Sequence, residues 1–596
     1  MSEVRTLDPP RLAVRTGIAL LQGFVLWWLY DAVAHERWPE GQRGWLAGLI
    51  TVAVLVPGVH YLLADLASAA SQRRLLLAVA LLALGLGWHH GAWTADSPYS
   101  EPLSFVLPLG VLMFLLLPFV QSALTRGDLR PRYEDLFHFA WRNALLAALG
   151  GVFTGVFWLL LVLWGGLFRM IGIDFFHELF ESARFTIPAT AVAAGVGLQL
   201  AGSVERLQTA LRQQLLAMLK WLAPLAILIL VLFTGALLAK SPELFAEHRR
   251  AISAAWLLGL VALTVALLNA AYQDGKEPGP YPRWIGAAIR FASLLLLPVA
   301  LLALYALGIR IAAYGITVSR AWAFLVGAVA LAYASGYAWA ALRKGAWMAG
   351  IGVVNVAVAV FAIGMLLLML TPPLSPERLA AASQYRRVLA DPDSDAYADL
   401  RFRTGRYGRA RLASLAAIEG HARTADIRGR AARALQLKQP WQGLAPAPES
   451  LVAIPAGTHI DPELIAAFGT SDDQSIVQSC TPELPCPVLF ANLNREGSDE
   501  AILFAQYGVV GATRVEGGWR VLDRLVHLGA SVSRNDRETI RRALEAGTYR
   551  IGDLPWQAIE INGEYYVLSD AKKPAGDCGA AGDAVSRAAE AAPECP

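Results

Sequence analysis

Eleven apolar stretches fill the first 374 residues of this 596-residue chain. A helix that crosses a bilayer needs about 20 mostly apolar residues, because backbone groups in lipid must form their hydrogen bonds within the helix. The composition agrees. Its 56% hydrophobic residues and 18 tryptophans exceed the content of ordinary soluble proteins, and its 17% charged residues are fewer than such proteins carry. The sequence therefore predicts a polytopic α-helical membrane protein, with about 11 transmembrane helices and a C-terminal exported α+β domain.

The orientation of the chain follows from its positive charges. The predicted spans are residues 12–30, 45–63, 75–93, 103–123, 144–168, 185–202, 221–239, 251–271, 284–307, 321–342 and 346–370. An odd number of spans places the termini on opposite faces, and Lys and Arg mark the cytoplasmic one. A cytoplasmic N-terminus leaves 17 of these residues inside and nine outside, so we expect an exported C-terminal domain. No small-residue cleavage site follows the first span, which is expected to remain as an anchor.

Three regions are predicted along the chain. They are a transmembrane helical bundle at 1–374, an exported helical stalk of two or three helices at 375–440, and an exported, disulfide-braced β-rich domain at 441–596. Strands of the last region are expected at 488–491, 501–505, 508–515, 519–522, 556–561 and 564–568, and a helix at 536–546.

All four cysteines lie in the region that is predicted to be exported, where an oxidising compartment would preserve disulfides. Their spacing suggests two local bridges, Cys480 with Cys486 and Cys578 with Cys595, although four cysteines allow three pairings. A zinc site is the alternative. Disulfides are favoured, because neither spacing is C-x-x-C and no histidine lies near either pair.

Two loop segments have the pattern of helices that lie on the membrane surface. In residues 203–220, apolar residues recur every three or four positions among basic and amide side chains, and residues 173–184 mix four phenylalanine and leucine side chains with acidic ones. The alternative is that both segments extend the neighbouring spans.

Polar side chains within spans are costly and indicate function by default. The candidate ligand-binding residues are His60, Gln199, Asn269, Asp274 and Arg290, and Asn355 lies within the eleventh predicted span. Asp274 and Arg290 are close enough to the cytoplasmic edge to reach it, and a lone intramembrane His or Asn is often only an interhelical hydrogen-bond partner. The structural interpretation is therefore favoured for each residue taken singly.

One loop of the C-terminal region has the spacing of a calcium-binding loop, in which acidic and amide oxygens surround the ion and a glycine permits a sharp bend. The candidate ligands are Asn492, Asn494, Glu496 and Glu500, with a glycine at position 497. The match is degraded because only two ligands are charged, and a polar hairpin turn explains the same residues. Calcium is the only cofactor that the sequence suggests.

Several short sequence motifs lie in the membrane region and the stalk. They are FHFAWRN at 137–143, NAAYQDG at 269–275, YGIT at 314–317 with Arg320, SQYRR at 383–387, and LRF at 400–402 with GRYG at 405–408. Together they resemble an uncharacterised bacterial inner-membrane family, domain of unknown function 4153 (DUF4153), over most of the chain to about residue 440. The resemblance implies a multi-spanning core in a bacterial inner membrane, with no accepted catalytic residues and no known substrate.

Three classes of function remain. A transporter or lipid-handling protein is favoured, because eleven spans exceed what an anchor needs and the polar groups above could line a cavity. The alternative is an envelope scaffold or sensor that binds a periplasmic protein or envelope component, with the basic inner loops on anionic membrane lipid. A membrane transferase acting on a lipid-linked substrate is third, since no Walker, G-x-S-x-G or H-E-x-x-H motif predicts a catalytic centre. The mildly acidic C-terminal region, with 25 basic and 29 acidic residues, makes nucleic acid an unexpected partner.

Overall fold

The computed structural model divides the chain into two compact units, Met1–Leu435 and Gln436–Pro596. It describes residues 9–63, 66, 68–94, 103–246, 253–275, 280–343, 347–437, 448–468, 480, 485, 486–493, 499–505, 508–515, 518–522, 525–528, 537–552, 558–561 and 564–568. The division falls within five residues of the boundary at 440 that separates stalk and β-rich domain in the sequence. The predicted boundaries of the three regions stay predictions.

The first unit contains eleven helical segments in its described residues that are long and apolar enough to cross a membrane, as the sequence predicts. Its helices are α1 (Pro9–Ala34), α2 (Arg43–Leu63), α3 (Ala69–His89), α4 (Leu103–Arg126), α5 (Tyr133–Met170), α6 (Phe175–Glu181), α7 (Ala183–Ser203), α8 (Glu205–Ala246), α9 (Ala254–Tyr272), α10 (Arg283–Ala292), α11 (Leu296–Tyr314), α12 (Val318–Leu342) and α13 (Ile351–Met369). Helices α10 and α11 are joined by a short 3₁₀ turn and count as one span, and α6 is too short to cross.

The two predicted surface helices have different outcomes. Residues 205–220 are the first part of α8, a continuous helix of 42 residues, so this segment extends a span rather than forming a separate helix. At about 1.5 Å per residue, such a helix is far longer than the hydrocarbon thickness of a bilayer. Residues 175–181 instead form the separate helix α6, whose Phe176 ring packs 5.1 Å from that of Trp164 on α5.

Four helices, rather than the two or three expected, form the stalk. They are α14 (Pro376–Ala390), α15 (Ala396–Phe402), α16 (Gly405–Ala416) and α17 (Thr424–Gln436). Leu400, Leu412, Leu415 and Ile427 are fully buried in their shared core. The sequence pattern missed one helix because α15 and α16 are separated by only two residues.

Residues 314–317 and 383–387, which both carry the family resemblance, bond to each other. The backbone N–H of Ile316 donates to Ser383 Oγ (2.9 Å), and Gln384 Nε2 donates to the carbonyl oxygens of Tyr314 (3.2 Å) and Ile316 (2.9 Å). Gly315 lies between these carbonyls with φ +72° and ψ 177°, a backbone conformation that is essentially restricted to glycine. These bonds fasten α14 to the turn between α11 and α12.

A buried histidine makes a second contact between the stalk and the spans. His89 Nδ1 lies 3.2 Å from the carbonyl oxygen of Leu370, and Nε2 lies 3.2 Å from the Tyr407 hydroxyl. Because a carbonyl only accepts, Nδ1 carries the proton and Nε2 accepts from the tyrosine. Burial raises the pKa of Tyr407, which keeps its hydroxyl protonated as the donor.

Two sheets make up most of the described second unit. In the first sheet β1 (Leu451–Ile454), β2 (Cys486–Ala491), β3 (Glu500–Ala505), β4 (Gly508–Val515) and β5 (Gly518–Leu522) follow in that order, with only β1 and β2 parallel. The second sheet is antiparallel and consists of β6 (Leu525–Leu528), β9 (Glu564–Leu568), β8 (Ala558–Ile561) and β7 (Tyr549–Gly552) in spatial order. Strands β1, β6 and β7, each of four residues, were not predicted, whereas the equally short β8 was.

The first sheet is covered on both faces. Helix α18 (Pro462–Phe468) packs on the face that carries Val488 and Leu503, while α19 (Arg537–Glu545) packs on the face of Leu489 and Ile502. Successive strand residues point to opposite faces, so burial of both explains the continuous apolar runs in β2 and β3. A disulfide joins Cys480 to Cys486, as predicted, whereas Cys578 and Cys595 lie outside the described residues.

Replacing Gly315 by alanine is expected to destabilise the protein by about 1–3 kcal/mol, because alanine is strained in that backbone conformation. Its Cβ would also lie 3.0 Å from Gln384 Nε2 and 3.1 Å from Ser383 Oγ. The measurement is the midpoint of thermal unfolding in detergent, followed by tryptophan fluorescence. Gly308→Ala is the matched control, since its Cβ meets nothing within 4 Å in the same α11 helix. Equal midpoints for the two variants would contradict the proposed fastening.

Candidate functional site

Two of the predicted ligand-binding residues are hydrogen-bonded near their own positions in the chain. His60, near the end of α2, has Nδ1 3.1 Å from Gln72 Nε2 in the first turn of α3, the next helix along the chain. Gln199 is buried, and its Nε2 donates to the carbonyl oxygen of Gly195, one turn earlier in α7 (3.2 Å). Neither contact brings these residues to another predicted site residue.

Asn269 meets Asn355 where α9, α12 and α13 come together. Asn355 Nδ2 donates to Asn269 Oδ1 (2.7 Å). The hydroxyl of fully buried Tyr337 on α12 lies 2.7 Å from Asn269 Oδ1 and 3.1 Å from Asn355 Oδ1, and its single proton can be donated to either. We call these three residues the Asn–Tyr network. Because its members satisfy one another, it reads as a joint between three helices rather than an empty ligand site.

Arg290 completes the end of a neighbouring helix. Its guanidinium donates to the carbonyl oxygens of Ala341 and Arg343, at the C-terminus of α12. The last carbonyls of a helix have no partner within it and carry partial negative charge, so a cation there is favourable. Asp274 lies separately, in the turn after α9.

Arg290 also lines a cavity of about 330 Å³ beside α10, where one candidate span begins. We call this cavity the α10 groove. Its other lining residues are Tyr281, Arg283, Gly286, Ala287, Phe291 and Trp347. Trp347 Nε1 donates to the carbonyl oxygen of Gly286 (3.0 Å), which fixes the indole against α10. The groove therefore combines two cationic side chains with aromatic walls.

The two arginines of the groove differ in their burial and in their hydrogen-bond partners. Arg290 is partly buried and bonded to backbone carbonyls, whereas Arg283 is exposed and has no hydrogen bond or ion pair with the described part of the chain. Tyr281 donates its hydroxyl to the carbonyl oxygen of Lys220. Burial raises the pKa of Tyr281 to about 12, so this hydroxyl is neutral at physiological pH.

The aromatic residues around the groove are typical of a membrane–water boundary. The Tyr281 ring lies between the rings of Trp221 (6.2 Å) and Trp347 (5.9 Å), and Trp284 is 74% exposed. Tryptophan and tyrosine are enriched at the headgroup level, where one end of the ring is apolar and the other is wet. A groove with such walls is expected at the depth of lipid headgroups rather than of acyl chains.

The predicted calcium loop is only partly described. Asn494 and Glu496 lie outside the described residues. Glu500 is buried, and its carboxylate accepts from the backbone N–H of Leu493 (2.7 Å) and from Thr513 Oγ1 (3.3 Å). Within the described residues no group of three or more His, Cys, Asp or Glu side chains could hold a metal ion. The calcium site at Asn492, Asn494, Glu496 and Glu500 stays a prediction.

Sequence reasoning identified Asn269, Asn355 and Arg290 but not their partners. Tyr337, Tyr281 and Trp347 are ordinary aromatic residues in an apolar or loop context, and no pattern distinguishes them from core or boundary side chains. The signal that was available is positional, since a tyrosine or tryptophan within a turn of a predicted span end is a candidate boundary residue.

Comparison with known proteins yields a single finding. A family model described as "Domain of unknown function (DUF4153)" matches residues 34–404, which is more than half of the chain. No curated protein and no solved structure matches.

Tyr337→Phe is expected to lower the stability of the protein by about 1 kcal/mol, because it removes one interhelical donor and leaves buried amide oxygens without it. Thermal unfolding in detergent measures the change. Tyr305→Phe serves as the control, since Tyr305 is 59% exposed on α11. If both variants have the same midpoint of thermal unfolding as the wild type, the network does not stabilise the protein.

Proposed function

Since the chain belongs to the DUF4153 family, which has no assigned activity, we propose a function from the site itself: this membrane protein handles lipid, and its α10 groove binds the phosphate headgroup of an anionic phospholipid. The observation that carries the proposal is the pair Arg283 and Arg290 in a groove of about 330 Å³ at the start of a span. Basic pockets between helices at the cytoplasmic surface are typical sites for anionic headgroups.

The geometry gives the two arginines separate tasks. Arg290 is held by the carbonyls of Ala341 and Arg343, so its position is set before any ligand arrives. Arg283 is exposed at the edge of the same groove, and its guanidinium N–H groups are available to bind a phosphate. A headgroup would therefore bind Arg290, which is held in place, and Arg283, which is exposed. Phe291 and Trp347 would contact its glycerol and first methylenes.

Transport of a polar solute has less support. A solute pathway would need polar side chains that are available to the cavity. Asn269 and Asn355 instead bond to each other and to Tyr337, and Gln199 bonds to its own helix. The polar residues of the spans that were candidate ligands are thus engaged in packing, whereas Arg283 at the span end is not.

An inner-membrane location with a cytoplasmic N-terminus and a periplasmic C-terminal unit forms part of the proposal. The excess of Lys and Arg in alternate loops supports it, as does the Cys480–Cys486 disulfide, which requires an oxidising compartment. In this orientation the α10 groove faces the anionic inner leaflet.

An envelope scaffold that binds a periplasmic partner is the second candidate. Its support is that the disulfide-bonded second unit has its own buried core on both faces of a sheet, and so forms more than a tail. A chain whose membrane unit binds no lipid selectively would favour this role.

Arg283→Gln is expected to weaken binding of dioleoyl phosphatidylglycerol about fivefold, the factor that corresponds to about 1 kcal/mol for one arginine near an anionic headgroup. Native mass spectrometry of the full chain, with phosphatidylglycerol and phosphatidylcholine in competition, measures the occupancy of each lipid. Wild type should retain phosphatidylglycerol preferentially.

Arg310→Gln is the matched control for that experiment, because Arg310 is an exposed arginine in the same candidate span but does not line the groove. This control should bind phosphatidylglycerol as wild type does. Equal losses in the two variants, or no preference for phosphatidylglycerol in wild type, would overturn the proposed headgroup site.

Fusions of alkaline phosphatase test the orientation. The enzyme needs disulfides for activity, so we expect high activity when it follows Leu437 and low activity when it follows Arg343, on the opposite side of the eleventh span. A fluorescent protein that matures in the cytoplasm should give the reciprocal result at both positions. The inverse pattern would reverse the proposed topology and remove the groove from the inner leaflet.

A further inference from the structure

A second groove, distinct from the α10 groove, runs along the first three turns of α7. It has a volume of about 450 Å³ and lies between α1, α5 and α7. Its walls include Leu20, Phe153, Phe157, Val192 and Val196, and among the described residues Arg184 is the one charged side chain that lines it. From Arg184 to Val196 the groove extends roughly 18 Å along the helix axis, at 1.5 Å per residue. It is therefore an elongated groove with apolar walls and one cation.

The order of residues along the groove gives it a polar end and an apolar end. Arg184 and Phe185 lie in the first turn of α7, where the candidate span begins. Deeper in, Trp158 Nε1 bonds to Thr190 Oγ1 (3.1 Å) and holds α5 against α7, and a Cβ at Gly197 would lie 3.0 Å from the Phe153 ring. Phe153 and Val196 therefore mark the deep end of the groove.

Aromatic rings surround the mouth beside Arg184. The Phe180 ring of α6 packs 5.3 Å from Phe185 and 6.2 Å from Trp164. Of these rings, that of Trp164 is of the type enriched at the headgroup level of a membrane. Arg184 itself is exposed and has no hydrogen bond or ion pair with the described residues. A cation at the start of a candidate span thus lies at one end of an apolar groove that follows the same span.

We infer that this groove binds a single anionic phospholipid, with the phosphate on Arg184 and one acyl chain lying along α7 between Phe157 and Val196. The charge at one end and the apolar walls at the other match an amphiphile of this kind. Because successive spans alternate in direction, Arg184 lies at the opposite membrane face from Arg283. The site extends the proposed lipid-handling function to the second leaflet but depends on different residues.

The test uses the full chain in phosphatidylcholine vesicles that contain a phosphatidylglycerol probe with a photoreactive diazirine near the end of one acyl chain. After irradiation, mass spectrometry locates the labelled peptides. We expect labelling of the segments around Phe153 and Val196. Ala189→Phe, which fills the groove midway, should abolish it, and Arg184→Gln should reduce it about fivefold, the effect of about one arginine at a charged headgroup.

Val162→Phe is the control for added bulk, because Val162 is 65% exposed on α5 and does not line the groove. It should label as wild type does. Unchanged labelling in Ala189→Phe would overturn the inference, as would labelling by a phosphatidylcholine probe equal to that by phosphatidylglycerol. Cross-linking of the groove residues to a second copy of the chain, in place of lipid, would also overturn it. Arg283→Gln should leave this labelling unchanged. The experiment therefore tests this lipid site independently of the proposed headgroup site in the α10 groove.

Discussion

A peptide carbonyl in lipid has no water to accept from, and the ends of the helices are where this constraint is met by side chains. The last carbonyls of every helix lack partners within it. Arg290 supplies partners for the last carbonyls of α12, and Gln384 does so for Tyr314 at the end of α11. Inside α8 the Tyr281 hydroxyl bonds the carbonyl of Lys220, whose partner four residues later would be Pro224, which has no N–H. Where no proline interrupts a helix, its interior carbonyls need no such partner, since their bonds are internal. The polar chemistry of the membrane unit is therefore concentrated at span ends and at joints between helices.

This distribution explains why the motifs that resemble the family carry no recognisable catalytic signature. Asn143 exchanges reciprocal hydrogen bonds with buried Gln121, Asn269 meets Asn355, and Ser383 and Gln384 hold the turn at Gly315. Each motif stretch supplies a residue that joins two helices. A hydrogen-bonded joint of this kind is worth only about 1 kcal/mol, but it fixes which helices are neighbours. The shared motifs thus encode packing.

Charged side chains that take no part in packing are the better guide to function. Arg283 and Arg184 are each exposed at the start of a candidate span, each beside a groove and each without a partner among the described residues. An arginine at the headgroup level is favourable because lipid phosphates supply the missing anion. One groove is short and flanked by two arginines, and the other is long and apolar. The first suits a lipid headgroup, and the second suits a headgroup together with one acyl chain.

The sequence by itself determined the eleven spans and favoured the Cys480–Cys486 pairing, because apolar length and cysteine spacing are local properties. It singled out Asn269, Asn355 and Arg290 as unusual. Only the tertiary structure decided that Tyr337 joins the two asparagines and that Trp347 completes the α10 groove. The physical reason is that lipid makes the hydrophobic signal of a helix strong but nearly uniform around its surface, so which faces meet is set by packing between residues far apart in the chain.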